Sequence, residues 1–167
     1  MTYRLPKLQY TNSLVPTASY DRAPEYFILG GLVFQPLTDA YLQSWGAEWK
    51  RRAPFRLLHY RSESPSPARP ALVLLSQVLP DAYNLGYQEH RYLVVDRVNG
   101  RRVSRLAELR EALAQSAGGV HVIEFVESDS LRRLVLAAGE AEEAATARVL
   151  KRFGIAEAFH FNAETKR

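Results

Sequence analysis

One nine-residue stretch constrains this chain more than any other: Tyr26-Phe27-Ile28-Leu29-Gly30-Gly31-Leu32-Val33-Phe34. An apolar run reaches a glycine pair and resumes as a second strand-like run. Glycine tolerates positive φ and lets another backbone approach closely, so such a loop can aim successive N–H groups at an anion. If Leu32–Gln35 then forms a sheet edge, one site could hold a peptide carboxylate and pair with the peptide backbone. The other reading is a tight β-turn inside a core sheet, and the local pattern alone favours it.

The chain has 167 residues, enough for one domain with appendages. Apolar residues make up 47% of it, so it can build a core without staples. Cysteine is absent, which excludes disulfides, thiolate catalysis and cysteine-based zinc sites and leaves the redox compartment open. No segment approaches the roughly 18 uninterrupted apolar residues of a membrane span. The N-terminus lacks the apolar core and small-residue cleavage site of a signal peptide, so no membrane partner is expected and the localisation stays unknown. A net charge of +4 suits solubility and a mild attraction to acidic partners.

Along the chain, residues 1–21 read as an extended N-terminal segment, with a possible strand over Tyr3 to Tyr10. Tyr26 to Leu37 reads as strand, glycine turn and strand. Thr38 or Asp39 can cap a helix from Ala40 to about Lys50, whose Tyr41, Trp45 and Trp49 fall at i, i+4 and i+8 on one stripe. A second short helix spans Pro54 to His59. The segment from Ser62 to Pro70 carries three prolines and three serines and is expected as a surface loop. Ala71 to Val78 is a continuous apolar strand, expected to be buried on both faces, and Asp81 to Tyr87 a short helix stopped at Gly86.

Asn99-Gly100, between Tyr92–Val98 and Arg101–Val103, is the strongest short-range hairpin signal present. Ser104 is placed to cap a helix that aligns Leu106, Leu109 and Leu113. Val120 to Val126 and Leu131 to Ala137 form a strand pair, with His121 facing solvent or a polar strand neighbour. The final helix is signed by Glu140, Glu142 and Glu143 at its start, Lys151 and Arg152 at its end, and Gly154 as its stop. Short strands with separated helices indicate an α+β domain.

The order of these segments resembles a PDZ domain of the Deg/HtrA family of serine proteases. The match runs through Leu29-Gly30-Gly31-Leu32-Val33-Phe34-Gln35-Pro36, Ser76-Gln77-Val78-Leu79-Pro80, Asn84-Leu85-Gly86-Tyr87 and Val98-Asn99-Gly100, then the helix Leu106 to Leu113. It is similar in particular to the divergent C-terminal module of members that carry two such domains. The resemblance implies a small antiparallel sheet or partial barrel capped by helices, over residues 22–160, with a helical insertion and an extra C-terminal helix. Residues 161–167 would be a tail, and residues 2–5 the end of a preceding PDZ domain.

By the same resemblance, Gly30, Gly31, Leu32 and Val33 would form the carboxylate-binding loop. Leu32, Val33, Phe34 and Gln35 would be the strand that a peptide extends, and Leu106, Leu109, Arg110 and Leu113 the facing helix wall. Two departures weaken that reading. Val33 stands where the family's loop has a second glycine, and residues 84–94 depart from the family's pattern. The expected role is therefore a non-catalytic regulatory or scaffolding module of a serine endopeptidase that mediates protomer assembly, self-associating through Tyr41, Trp45 and Trp49. The alternative is a module capturing C-termini or extended segments by β-strand addition.

No catalytic residue is expected in this chain. It contains no Gly-x-Ser-x-Gly elbow, and no lysine followed by serine or threonine completes a phosphate-binding loop after Gly30-Gly31. His59, His90, His121 and His160 lie in unrelated segments without metal-ligand spacing, so neither a metal nor a cofactor is expected. Two arginine groupings, Arg51, Arg52, Arg56 and Arg61, then Arg97, Arg101, Arg102 and Arg105, read as solvated faces or subunit contacts. The expected partner is thus protein or peptide, not nucleic acid.

Overall fold

A computed structural model describes residues 13–17, 22–116, 118–127 and 130–162. The expected strand at Tyr3 to Tyr10 lies outside them. Among the described residues, eight strands and five α-helices form an α+β domain, as the sequence indicates. The strands are β1 (Tyr26–Leu29), β2 (Leu32–Pro36), β3 (Val73–Val78), β4 (Leu93–Val98), β5 (Arg101–Arg102), β6 (Val120–Phe125), β7 (Arg133–Ala137) and β8 (Phe159–His160). They pair in the order β7-β6-β4-β3-β2-β1-β8, with β5 added beside β4. Every pairing is antiparallel.

Turn chemistry sets the two tight hairpins. Gly30 and Gly31 sit at φ +55° and +90° between Leu29 and Leu32, and Asn99 and Gly100 at +49° and +79° between Val98 and Arg101. Positive φ at both central positions matches the right-handed twist of the strands, which is why Gly-Gly and Asn-Gly succeed there.

One core lies between the sheet and α4 (Leu106–Leu113), where Leu106, Leu109 and Leu113 bury one helical face against Phe27, Leu29, Leu32 and Phe34. A second core lies under the insertion formed by α1 (Asp39–Gln43), α2 (Trp49–Arg52) and α3 (Phe55–His59). The two cores share β3: Val73 and Leu75 face the first, Leu74 the second, so the strand is apolar on both sides.

The insertion departs from its sequence reading. Thr38 does cap α1, its hydroxyl accepting from the Tyr41 amide at 3.0 Å, but the helix stops at Gln43. Gly46 then takes φ +87° and a new turn of helix begins at Trp49. Nor does Ser104 cap α4; Arg105 holds that position, and Glu108 reaches back to accept from the amides of Ser104 and Arg105. Between Ser62 and Pro70, Ser66 and Arg69 exchange two backbone hydrogen bonds in a small turn. The last helix, α5 (Glu140–Phe153), ends in a left-handed Gly154 as its sequence signals.

Candidate functional site

The glycine turn is the natural place to look for an anion site. The Gly30 N–H, however, donates to the Thr146 hydroxyl of α5 at 2.8 Å. Its carbonyl accepts from Asn84 Nδ2 at 2.8 Å, and the same nitrogen donates to Leu79 O at 2.8 Å. The Gly31 carbonyl takes the Leu79 amide at 2.7 Å. A Cβ at Gly30 would collide with the Tyr83 ring, and one at Gly31 with the Leu79 carbonyl and the Asn84 amide. The turn is thus packed into a bracket made by residues 79–84 and α5, with every residue from Gly30 to Phe34 buried.

That bracket is itself pinned. Asp81 is buried and caps the short 3₁₀ turn Ala82–Asn84, accepting from the Tyr83 amide at 3.0 Å. Arg148 of α5 grips the same carboxylate with two nitrogens at 2.7 and 3.1 Å. The guanidinium beside it, then the Tyr83 amide, lower the Asp81 carboxyl from an ordinary 3.8 to about 2. Tyr83 donates to the Ala137 carbonyl of β7; burial, and then the Glu142 carboxylate, push its hydroxyl above the ordinary tyrosine range.

Strand β2 has no edge to offer. Its Leu32, Val33 and Phe34 register with Leu29, Ile28 and Phe27 of β1 on one side. On the other, Leu32 to Pro36 register with Val78 to Val73 of β3, with a shift between Val33 and Phe34. The expectation that a peptide extends Leu32, Val33, Phe34 and Gln35 therefore meets a strand already paired twice, since β1 folds back into the place the peptide would take. The structure does bring Leu106, Leu109 and Leu113 to the same layer, but as core residues packed on β1 and β2 rather than as an open wall. Arg110 alone of the four faces outward, its guanidinium 4.5 Å from the centre of the Phe159 ring and 5.9 Å from that of Phe161.

On the insertion, Tyr41, Trp45 and Trp49 do not form one helical stripe, because the helix breaks between them. They are half-buried. The Tyr41 and Trp45 rings meet edge to face at 5.4 Å, Trp45 meets Tyr92 likewise at 5.4 Å, and Arg61 covers Trp49 at 4.9 Å. Burial raises the Tyr41 hydroxyl above its ordinary range. Among the described residues, the most exposed large apolar side chain is Phe55, 83% exposed at the start of α3. A polar cleft of about 480 Å³ opens beside this unit, lined by Gln35, Trp45, Gln77, His90 and Tyr92 among others.

Both arginine groupings are largely engaged by acids and carbonyls. Arg61 pairs with Asp39 at 2.7 Å, Arg56 donates to the Tyr92 carbonyl at 2.5 Å, and Arg51 lies 3.8 Å from Glu48. Arg69, Arg97 and Arg102 converge on Asp96, Arg105 meets Glu108 at 3.6 Å and Arg101 lies 3.9 Å from Glu111. Among the described residues, no group of three acids, histidines or cysteines could hold a metal ion, and no helix is long and apolar enough to cross a membrane.

His121 corrects another expectation. It is buried, with Nε2 at 2.5 Å from Glu142 of α5 and Nδ1 at 3.4 Å from Asn99 Nδ2. The Glu142 carboxylate can only accept, so Nε2 donates to it and ties β6 to α5. Strand pattern had signalled a polar neighbour but not one from a helix twenty residues on.

A family model described as a PDZ domain matches residues 15–159. The chain is a PDZ domain. Its relatives are proteases of the Do-like, Deg/HtrA type. It is 35% identical over 96 residues to the putative mitochondrial protease Do-like 3 of Arabidopsis thaliana, covering 58% of this chain and 16% of that protein. It is 32% identical over 111 residues to the putative mitochondrial protease Do-like 12 of the same plant, covering 63% and 19%. To the chloroplastic protease Do-like 2 it is 26% identical over 147 residues, covering 85% and 22%. This PDZ domain thus spans about a fifth of the length of those relatives.

The domain also holds features that sequence reading missed. Asp81 and Asn84 are expected in a short helix from Asp81 to Tyr87; they form a 3₁₀ turn instead, and tertiary contacts make them the clamp on the glycine turn. Strand β8 was legible in principle, as aromatic residues alternating with a polar one at Phe159-His160-Phe161. Phe161, read as tail, packs against the main core.

Proposed function

We propose that this PDZ domain is a non-catalytic scaffolding module of a Deg/HtrA-type serine endopeptidase, the second of two such modules, and that it serves protomer assembly. The observation that carries this reading is the pairing of β2 on both edges over Leu32–Phe34, which leaves strand addition there without a partner surface. A module closed at its peptide edge still presents its insertion. Phe55 stands almost fully exposed there, in the helix that follows the one bearing Trp49, and aromatic side chains are of the sort that anchor interfaces.

The test is the mass of the parent protease by light scattering. Phe55→Ser and Trp49→Ala are each expected to lower it to that of a smaller oligomer, with the domain still folded by circular dichroism. An unchanged mass in both would remove the insertion as the contact. Peptide capture is the competing reading and requires β1 to leave β2. An amide-resolved titration with apolar-ended peptides, free and amidated, separates the two: saturable shifts at Gly30–Gln35 that vanish on amidation would reinstate carboxylate binding.

A further inference from the structure

The outer edge of β1 is occupied by the chain's own C-terminal region. Phe159 registers with Phe27 and His160 with Tyr26, and the Ile28 amide donates to the Ala158 carbonyl at 2.7 Å. Just beyond, the Asn162 amide donates to Glu25 at 2.8 Å. The side chains continue the docking. Phe161 stacks on Phe27 at 6.5 Å, Phe159 and Phe161 lie 5.3 Å apart, and Arg110 of α4 covers both. The segment runs away from the Gly30–Gly31 turn, because His160 pairs with Tyr26 and not with Leu29. This edge therefore holds an internal stretch of chain, with no terminal carboxylate directed at the turn.

Several observations mark the segment as detachable. Its regular pairing is two residues long, and Phe159 is 40% exposed. His160 Nε2 is buried and has no hydrogen-bond partner among the described residues, so docking sacrifices the water that atom holds when the segment is free. The connection back to α5 is short: Gly154 ends the helix in the left-handed conformation, Ile155 is tied to the Leu150 carbonyl, and only Ala156 and Glu157 remain as hinge. When the segment leaves, it uncovers an unpaired strand edge, a template for another extended chain.

We propose that β1 exchanges this strand between copies, so that residues 158–162 of a second copy of this chain dock on Tyr26–Ile28 as the chain's own residues do. The second copy is the occupant because its sequence satisfies every contact named above, and reciprocal exchange closes as a two-fold dimer. The pairing takes nothing from Phe55 or Trp49: it is built of residues 23–28, Arg110 of α4 and residues 157–162, so it stands or falls separately from the insertion contact.

The absence of cysteine makes the test clean. Tyr26→Cys and His160→Cys are placed in one full-length chain to check the register, and singly in two chains that are mixed, one of them mass-labelled, and oxidised under native conditions. The double variant should link within the chain. The mixture should give a 26–160 link between chains exceeding the 26–26 and 160–160 links by about tenfold, with a dimer mass, since docking sets the local concentration of the pair. Phe161→Ser in the His160→Cys chain should cut that link by about tenfold, since it removes the ring that stacks on Phe27. A double variant that links within the chain while the mixture gives no 26–160 link would overturn the proposal. So would hydrogen exchange at the Ile28 amide as slow as in Leu32–Phe34, because the strand would then open only when the whole domain does.

Discussion

The two edges of β1 make an instructive pair. Toward β2 the strand is joined by a two-residue turn, three register pairs and a layer of buried side chains. Toward β8 it has two register pairs, one partly exposed phenylalanine and a cation over the rings. A strand presents the same N–H and C=O groups to either side, so backbone pairing alone does not distinguish the edges. What differs is the bracket. The β2 side is held at its turn by Asn84, Leu79 and Thr146, whereas the β8 side is held by a short pairing and by the partly buried rings of Phe159 and Phe161 at the margin of the core. A single strand can thus be permanent along one edge and releasable along the other.

The largest effect should come from attacking the bracketed side. Gly31→Val places a β-branched residue at φ +90° against the Leu79 carbonyl and the Asn84 amide. Strain and steric displacement together should cost about 3 kcal/mol or more, read as a lower urea midpoint with unchanged slope. A loss below about 1 kcal/mol would mean that the bracket is softer than its hydrogen bonds indicate.

Acid should loosen the same side more gradually. The Asp81 carboxyl titrates lower in the folded chain than its ordinary 3.8, down to about 2. The folded state therefore binds fewer protons than the unfolded one in that interval. The stabilisation is fully present above pH ~4 and is lost as pH falls through about 2. Removing the guanidinium with Arg148→Met should flatten the dependence of the urea midpoint on pH between about 5 and 2. An equally steep dependence in that variant would place the acid sensitivity on other carboxylates.

The smallest effect is expected on the β8 side. Arg110→Ala removes a cation held over Phe159 and Phe161 at an exposed site, worth about 0.5–1 kcal/mol. Global stability should fall by no more than that, and hydrogen exchange at Ile28 should stay faster than at Leu32–Phe34 with and without Arg110, because releasing β8 needs less than unfolding the domain. Equal protection at both places would mean that the two edges open together, and the contrast between them would fail.

Much of the fold was legible because its signals are local. Gly30-Gly31 and Asn99-Gly100 specify tight turns by backbone chemistry, and the charge gradient along Glu140–Phe153 with Gly154 beyond it specifies a helix. The apolar run of β3 correctly signalled burial on both faces. The break at Ser44–Glu48 was not legible, since the Tyr41, Trp45, Trp49 spacing fits a continuous helix and only packing against Tyr92 and Arg61 settles where each ring goes. The candidate site was legible as a set of neighbours and misleading as a surface. Gly30 to Phe34 and Leu106 to Leu113 do meet, yet they meet as core.

The sequence by itself determined most of the elements, the two tight turns, the α+β class and the resemblance to a PDZ domain. These depend on residues within a few positions of one another, where turn geometry, capping and periodicity act. Only the tertiary structure decided which strand edges remain open, where His121 finds its partner, and that Asp81 and Asn84 clamp a turn fifty residues earlier. Edge pairing joins segments far apart in the chain. Residues 158–162 reach β1 across more than a hundred positions, and no local pattern records that a strand's second side has been taken.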